Sequence, residues 1–244
     1  MKKAITILLA LVMAFSLVAC GGNQQSSPHE NGTESIDNNA TDNTTTTDEV
    51  SLSKEEMINK SQPLTINEIA EEIYNNKARA KSKYANGTYS IWGTVKEINS
   101  DSCDISVYKY PQVFVRVYLP VDELIQLNQN EAIQVVGIIT DIFDETKQVY
   151  EYSMPRTIIS MQDSFFITNI YKINNASFSS MSYSRTNYNY NAVISDSVLG
   201  PIKVELTDKQ ISNAQWNRYE KLKISATGII TDYVLNSDDI VITE

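Results

Sequence analysis

The sequence predicts a mainly β fold that is preceded by one α-helix and followed by a second, smaller β unit. A capping signal and apolar residues at helical spacing mark the helix, which runs from Thr65 to Gly87. After Gly87 the apolar period changes from about 3.6 residues to two, which is typical of strands. Two short strand phrases then recur in the same order along the chain. With 244 residues, 42% of them apolar, the chain can build one large domain or two small ones.

The first twenty residues are predicted to be a lipoprotein signal peptide. Lys2 and Lys3 precede an apolar stretch that ends at Cys20 and is short for a spanning helix of roughly 20 residues. The sequence Leu17-Val18-Ala19-Cys20 resembles the lipobox of bacterial lipoproteins, which implies cleavage before Cys20 and acylation of its thiol, for example with palmitate. Two or more acyl chains anchor a protein stably in a bilayer. We expect an extracytoplasmic, membrane-anchored protein; the alternative is an ordinary cleaved signal with an incidental Cys.

Residues 21–52 are predicted to be a disordered polar tether. Asn, Thr, Ser, Gln, Asp and Glu dominate this segment, which carries a charge of −6 and contains the only His of the chain, His29. As a flexible coil it would span roughly 30 Å. Residues 53–244 also carry −6, so the sequence does not support a strongly basic surface for polyanions.

The predicted helix begins at a capping box, in which Thr65 is the N-cap and Glu68 reaches back to it. Gly87 is the predicted stop. The apolar face consists of Ile66, Ile69, Ile73, Ala80 and Tyr84. The last turns carry four basic residues, Lys77, Arg79, Lys81 and Lys83. These either bind a polyanion or complement the helix dipole on a solvated face, and the acidic net charge favours the second interpretation.

The strands after the helix are predicted in the order of an OB-fold Greek-key barrel, with three strands, a short helix and two more strands. Val113, Val115, Val117 and Leu119 form the inward face of the third strand. The predicted bounds are 88–95, 105–110 and 113–119 for the first three strands, 120–125 for the short helix, and 132–142 and 164–173 for the last two strands.

A family resemblance is carried by residues 75–84 (NNKARAKSKY) of the helix, by residues 89–95 (YSIWGTV) of the first strand and by Gly137 in a later strand. In these residues the chain resembles the bacterial tRNA-anticodon-binding-like family of OB-folds. The resemblance covers roughly residues 64–143 and implies an OB-fold in an exported lipoprotein whose ligand is undefined. The family name records fold ancestry and does not imply tRNA binding. Residues 144–162 depart from the pattern and obscure the fifth strand.

A helix-plus-OB domain is predicted over residues 53–173, and a second, degenerate OB-like β domain over 174–244. Two phrases carry this prediction: RVYL at 116–119 and GIITD at 137–141 are echoed by KVEL at 203–206 and GIITD at 228–232. The order of the phrases favours a duplicated barrel. The alternative is that GIITD is a common strand-to-turn phrase.

The side chains available for catalysis are few, and we predict a protein that is not an enzyme. Residues 53–244 contain no His, which excludes Ser-His-Asp and Cys-His catalysis and His-based zinc sites there. Cys103, in an acidic predicted turn, is interpreted as structural or incidental. The carboxylates Asp141, Asp144, Glu145, Asp238 and Asp239 do not spell out a full calcium loop, so neither a metal nor a cofactor is predicted. An enzyme that uses carboxylates alone is the third hypothesis.

The candidate ligand-binding residues lie on the first three strands of the first barrel. They are Trp92, Tyr108, Tyr110, Phe114, Arg116 and Tyr118. OB-folds commonly bind chains of bases or sugars on these strands, where rings provide stacking planes. The alternative is that the rings pack against the second unit or the leading helix. The tract 183–190 is either an exposed recognition strand or the first strand of the second unit.

Together, these features predict a lipid-anchored, non-catalytic binding module for an extended ligand, which would be a glycan, a peptide or an oligonucleotide. The case for nucleic acid is not strong because the folded part is acidic. The alternative is a structural or scaffold subunit of a cell-envelope complex, whose protein partner covers the same face. An exposed aromatic groove favours the first hypothesis, and a flat apolar patch favours the second.

Overall fold

The computed structural model describes residues 52–212, 215 and 217–244. The predicted signal peptide, Cys20, and the tether up to residue 51 lie outside the described residues. Leu52, the last residue of the predicted tether, packs against a small apolar cluster formed by Met57, Val136 and Phe165. In the described part of the chain, no helix is long and apolar enough to cross a membrane.

The described chain is mainly β, as the sequence predicts. Its helices are α1 (Lys54–Lys60), α2 (Ile66–Tyr84), α3 (Val121–Leu124) and a 3-10 turn (Tyr219–Lys221). Its strands are β1 (Gln62–Thr65), β2 (Thr88–Ile98), β3 (Ser102–Ser106), β4 (Val113–Tyr118), β5 (Ala132–Val149), β6 (Tyr152–Thr168), β7 (Ile170–Ser184), β8 (Asn189–Asp196), β9 (Gly200–Thr207), β10 (Lys223–Thr231) and β11 (Val234–Thr243).

Strands β2 to β6 close into a first barrel. β2 pairs antiparallel with β3 and β5, β3 pairs antiparallel with β4, and β5 pairs antiparallel with β6. β4 runs parallel to β6 and completes the ring. The order around the barrel is therefore β2-β3-β4-β6-β5, with α3 between the third and fourth strands, which is the order of an OB-fold. β1 lies outside the ring and extends the sheet parallel to β2.

Strands β7 to β11 close into a second barrel with the same connectivity. Going around it, β7-β8-β9-β11-β10 returns to β7, and only the β9–β11 pair is parallel. The 3-10 turn lies between the third and fourth strands, where the first barrel has α3. The second unit is therefore a closed five-stranded barrel. The predicted boundary at 173/174 falls within β7, which begins at Ile170.

The recurring sequence phrases lie on equivalent strands of the two barrels. In the first barrel, residues 116–118 end β4 and Leu119 follows it; in the second, residues 203–206 lie on β9. β4 and β9 are the third strands of their barrels. Residues 137–141 lie on β5, and residues 228–232 run from β10 into the turn after it; these are the fourth strands. Because both phrases fall at the same topological positions, the structure favours duplication over a chance strand-to-turn phrase.

The predicted capping box and apolar face of α2 are confirmed. The Glu68 backbone N–H donates to Thr65 Oγ1 at 3.1 Å, and the Thr65 backbone N–H donates to Glu68 Oε2 at 2.9 Å. All five residues of the predicted apolar face are buried. The predicted continuous helix is wrong, because Asn76 has extended backbone angles (φ −163°, ψ 98°). Its side-chain oxygen accepts from the Arg79 N–H at 3.0 Å and caps a second helical segment.

The third strand is confirmed, with Val113, Val115 and Val117 all buried, and so is the short helix that follows it. The predicted second strand, 105–110, is wrong. β3 is earlier, at Ser102–Ser106, so Cys103 lies in a strand and not in a turn. Beyond it the chain turns before Pro111, and a Pro cannot donate to a strand ladder.

The predicted fifth strand, 164–173, is also wrong. β5 continues beyond the predicted end at 142 to Val149, and β6 returns from Tyr152 as a long hairpin. The segment 144–162 therefore consists of two strands and the turn between them, and it is held by cross-strand pairs such as Asp144 with Thr157 and Glu145 with Arg156. The end of the predicted strand, from Ile170, belongs to β7.

Gly228 allows the two strands of the β10–β11 hairpin to approach closely at a bulge. A Cβ at this position would lie 2.3 Å from the Asn236 carbonyl oxygen, and that backbone atom cannot rotate away. We expect Gly228→Ala to lower the free energy of unfolding by about 1–3 kcal/mol, measured by urea denaturation. Thr227→Ala, at the exposed neighbouring position, is the control. An equal effect of the two substitutions would contradict this explanation.

Candidate ligand groove

An open groove crosses the outer face of the first barrel and is closed on one side by the β10–β11 hairpin of the second. We call it the aromatic groove. Its main part has a volume of about 570 Å³ and is lined by Lys96, Ser106, Val107, Tyr108, Pro111, Phe114 and Tyr233. An adjoining part of about 220 Å³ shares Lys96, Pro111 and Phe114 and continues over Glu97, Gln112, Lys147, Val149, Met154, Pro155 and Arg156.

The three rings of the groove come from three different elements. Phe114 points outward from β4 because its neighbours Val113 and Val115 point into the core. Tyr108 lies in the turn after β3 and is 60% exposed. Tyr233 occupies the two-residue turn between β10 and β11, in which Asp232 and Tyr233 have positive φ of 52° and 61°.

The turn that presents Tyr233 is strained, and contacts to both barrels hold it in place. Both turn positions are left-handed, as a type I′ hairpin requires. Asp tolerates this conformation, but it is costly for a bulky residue such as Tyr233. The Asp232 N–H donates to the Asn130 carbonyl of the first barrel at 3.1 Å. The Lys203 N–H donates to the Tyr233 carbonyl at 2.7 Å. Such strain persists only where the surrounding structure fixes the conformation, which is typical of functional positions.

Tyr233 also contacts side chains of the first barrel. The rings of Tyr108 and Tyr233 meet edge to face, with 6.1 Å between their centroids. Lys96 Nζ lies 4.6 Å from the centroid of the Tyr233 ring, which is a cation–π contact. Gly200 packs under Tyr108, since a Cβ on Gly200 would lie 2.9 Å from the Cβ of Tyr108. Both barrels therefore contribute to the groove.

The floor beside Phe114 is a charge network centred on Asp104, whose side chain is fully buried. Arg116 donates to Asp104 through Nε at 2.8 Å and Nη2 at 3.0 Å, and Arg156 Nη1 lies 3.1 Å from the same carboxylate. Arg116 also donates to Glu145 at 2.9 and 3.0 Å. The guanidinium of Arg156 lies 5.1 Å from the centre of the Phe114 ring.

The network is balanced in charge, because Glu97 pairs with Lys147 and Arg156 and completes a set of three cations and three carboxylates. Hydrogen bonds from Arg116, followed by those from Arg156, hold the pKa of Glu145 below its usual value of 4.5. The hydrogen bond from Lys147 likewise lowers the pKa of Glu97. The carboxylates that accept from Arg116 raise the pKa of its guanidinium. Glu145 and Glu97 therefore stay ionised at neutral pH. With three cations and three carboxylates, the floor has no formal net charge.

The basic residues of α2 are paired with carboxylates, two of which lie on β5, and do not form an open polyanion site. Lys77 lies 2.5 Å from Asp144, Lys81 lies 2.5 Å from Asp141, and Arg79 pairs with Glu72. These lysines neutralise two of the carboxylates considered for calcium. Within the described residues, no group of three or more His, Cys, Asp or Glu side chains is placed to hold a metal ion.

The structure brings only some of the predicted site residues together. Tyr108 and Phe114 line the aromatic groove. Arg116 does not line it, and two edges of its guanidinium are occupied by Asp104 and Glu145. Trp92 packs edge to face on Tyr171 of the second barrel, with 4.8 Å between centroids, as the packing alternative proposed. Its ring is therefore part of the contact between the barrels.

The remaining predicted residues lie away from the groove. Tyr110 is not on a strand; its ring lies 5.5 Å from that of Tyr74, and its hydroxyl donates to Glu71 at 3.3 Å. Tyr118 ends β4 opposite Ser102 and does not line the groove. Tract 183–190 forms the end of β7, a turn and the start of β8, so it contains neither a separate strand nor the whole first strand. Burial raises the pKa of the Cys103 thiol to about 12, which fits a structural residue.

Sequence reasoning missed Lys96 and Tyr233 as groove residues. Lys96 continues β2 one residue beyond the predicted end of the first strand at 95. Tyr233 directly follows the second GIITD phrase, and this position in a tight turn was the available signal. Its contact with the first barrel depends on pairing between distant segments, which the phrase alone does not specify.

Neither a protein-family model nor a curated protein matches the sequence. A solved structure, that of a lipoprotein from Klebsiella pneumoniae to which nucleic-acid binding is ascribed, aligns with a TM-score of 0.33 and 11% identity. The alignment covers 46% of this chain and 95% of that one. Nothing about the function of this chain follows from a likeness at that level. The OB-fold assignment rests on strand pairing, and membership of the tRNA-anticodon-binding-like family stays a prediction.

The lowered pKa of Glu145 predicts an acid dependence of stability. Glu145 stabilises the folded state at pH values above 4.5, its usual pKa, and this contribution is lost as the pH falls through its lower folded-state pKa. We expect Glu145→Gln to lower the free energy of unfolding at pH 7. As the pH falls from about 5 to 3, the free energy of unfolding of this variant should decline less steeply than that of the wild type. Urea denaturation at each pH measures both effects. Glu151→Gln, in the exposed turn of the β5–β6 hairpin, is the control. An unchanged slope in Glu145→Gln would refute this role.

Proposed function

We propose that this protein is a membrane-anchored lipoprotein that binds an extended glycan in the aromatic groove without catalysing a reaction. The observation that carries the proposal is the convergence of three rings, Tyr108, Phe114 and Tyr233, around one open groove on the strand face of an OB-type barrel. This face is where OB-folds commonly bind oligonucleotides and oligosaccharides. Rings offer flat apolar faces on which the apolar face of a sugar can stack.

The charges of the groove favour a glycan over an oligonucleotide. Channels for single-stranded nucleic acid combine stacking rings with a strongly positive groove that follows the phosphates. Here Arg116, Arg156 and Lys147 are neutralised by carboxylates. Lys96 is the only cation lining the groove that makes no ion pair with a described residue. A single unpaired lysine on an acidic protein does not neutralise a polyphosphate chain.

Strand pairing also favours a glycan over a peptide that adds a strand. Such a peptide needs an exposed sheet edge, where its main chain can pair. At the groove, β3 is paired with β2 and β4, and β4 is paired with β3 and β6. The groove therefore offers side chains and ring faces, which suit a ligand recognised through hydroxyl groups and apolar sugar faces.

The side chains near the groove support binding without catalysis. Residues 53–244 contain no His, and Cys103 is buried with a raised pKa. Glu97 lines the groove and Glu145 belongs to its charge network; both have lowered pKa values and are engaged by cations. A general acid or base works best with a pKa near the operating pH. The pKa values of these two carboxylates are lowered, which moves them further from neutral pH.

Acylation of Cys20 and the polar tether predicted at residues 21–52 would place the groove outside the membrane, within reach of envelope polysaccharides. The lipobox and the polar composition of residues 21–52 support this part of the proposal. A scaffold role in an envelope complex stays the alternative, and an open groove favours it less than a flat apolar patch would.

Substitution of the groove rings tests the proposal. In isothermal titration of the full chain in detergent with glycan fragments released from bacterial cell walls, we expect Tyr108→Ala and Phe114→Ala each to weaken binding about tenfold, through the loss of a stacking face. Tyr74→Ala is the matched control, because Tyr74 is 63% exposed against 60% for Tyr108 and lies on α2.

A second titration with a single-stranded oligonucleotide at low salt separates the ligand classes. Saturable binding of the oligonucleotide without binding of the glycan fragments would overturn the glycan assignment. An equal loss of glycan affinity in Tyr74→Ala would move the site away from the aromatic groove.

A further inference from the structure

We propose that the outer face of the second barrel is a second, polar subsite for the same glycan chain and that it continues the aromatic groove beyond Tyr233. This inference rests on the proposed function and extends it to a defined path over both barrels. The second barrel has a cavity of about 250 Å³ on strands β7, β8, β9 and β11. These correspond to the first, second, third and fifth strands of an OB-fold, the same set that underlies much of the aromatic groove.

Strand register brings the polar side chains of this face into two rows. In the first row, Asn191 on β8 pairs with Ser182 on β7 and Glu205 on β9. In the second row, Lys203 lies beside Val193. Paired residues of neighbouring strands point to the same face of a sheet, so each row presents its side chains together. All four polar residues are exposed.

The two binding surfaces meet at the β10–β11 turn. Tyr233 lines the aromatic groove, and the next residue, Val234, lines the cavity of the second barrel. Val234 is the register partner of Lys203, whose N–H donates to the Tyr233 carbonyl. A glycan chain that stacks on Tyr233 therefore needs to pass only Val234 to reach Lys203.

Comparison of the barrels shows that Lys203 lacks the partner that its counterpart has. Lys203 is the first residue of the phrase KVEL, and Arg116 is the first residue of the matching phrase RVYL in the first barrel. Arg116 is the register partner of Asp104, which neutralises it, whereas Lys203 faces Val193. Neither Lys203 nor Glu205 makes an ion pair with another described residue. These polar groups therefore remain available to a ligand.

The chemistry of this subsite suits the hydroxyl groups of a sugar. Lys203 donates hydrogen bonds, Glu205 accepts them, and Asn191 and Ser182 do both, as does a hydroxyl group. A phosphate would meet the repulsion of Glu205, so the subsite does not favour a polyanion. No ring lines this cavity among the described residues, and we expect it to add affinity only to a chain that is already stacked in the aromatic groove.

The test compares short and long glycan fragments on the full chain in detergent, by isothermal titration. Fragments of about three sugars fill the aromatic groove alone, while fragments of about eight or more span both surfaces, and we expect the long fragments to bind about tenfold more tightly. Lys203→Ala combined with Asn191→Ala should remove this gain and leave the affinity for short fragments unchanged. Lys172→Ala, an exposed lysine on β7 that lines neither surface, is the matched control.

The outcomes separate this inference from the proposed function. Equal affinity for short and long fragments, or an unchanged length dependence in the double variant, would overturn the second subsite and leave the aromatic groove in place. A failure of both fragment sizes to bind would overturn the proposed function together with the inference. As a control for folding, we expect the double variant to unfold at the same temperature as the wild type, which would show that a loss of affinity comes from the altered surface and not from misfolding.

Discussion

The buried carboxylate of Asp104 is the constraint on which the candidate site depends. A buried charge without partners is strongly destabilising, so the two arginines that reach it, Arg116 from β4 and Arg156 from β6, must stay in place. Their other contacts extend to Glu145 on β5 and Glu97 on β2. Satisfying one buried group thus ties all five strands of the first barrel together at the face where the groove lies. The same contacts make the floor neutral.

The equivalent face of the second barrel lacks the charge network around Asp104. At the register position of Asp104 it has Val193, and the cation of the repeated phrase, Lys203, extends into solvent. The fold does not need the network, since β7 to β11 close in the same order without it. The network is therefore a feature of one surface. The two barrels share a topology but present faces of different chemistry. One consists of rings over paired charges, and the other consists of exposed polar groups whose charged members, Lys203 and Glu205, make no ion pair with a described residue.

The elements that could be predicted from the sequence are those set by local chemistry. The Thr65 cap forms bonds within one helical turn, and the alternating valines of β4 need only a core on one side. The missed α1 also had a local signal, the capping box of Ser53 and Glu56. The wrong predictions concern elements whose structure depends on contacts between distant segments of the chain. The strands around 144–162 exist because they pair with each other, and Tyr233 reaches the groove because the second barrel docks beside the first.

The same distinction explains why the ring side chains were harder to place than the strands that carry them. An outward-facing ring can meet solvent, a second domain or a ligand, and the alternation of a strand gives the same pattern in all three cases. Trp92 meets the second barrel, Tyr110 meets α2, and Tyr108 and Phe114 remain at an open groove. Tyr108 also contacts Tyr233 of the second barrel, but it stays 60% exposed and keeps area for a ligand. The open groove beside Tyr233 is therefore the part of the predicted face where binding can still occur.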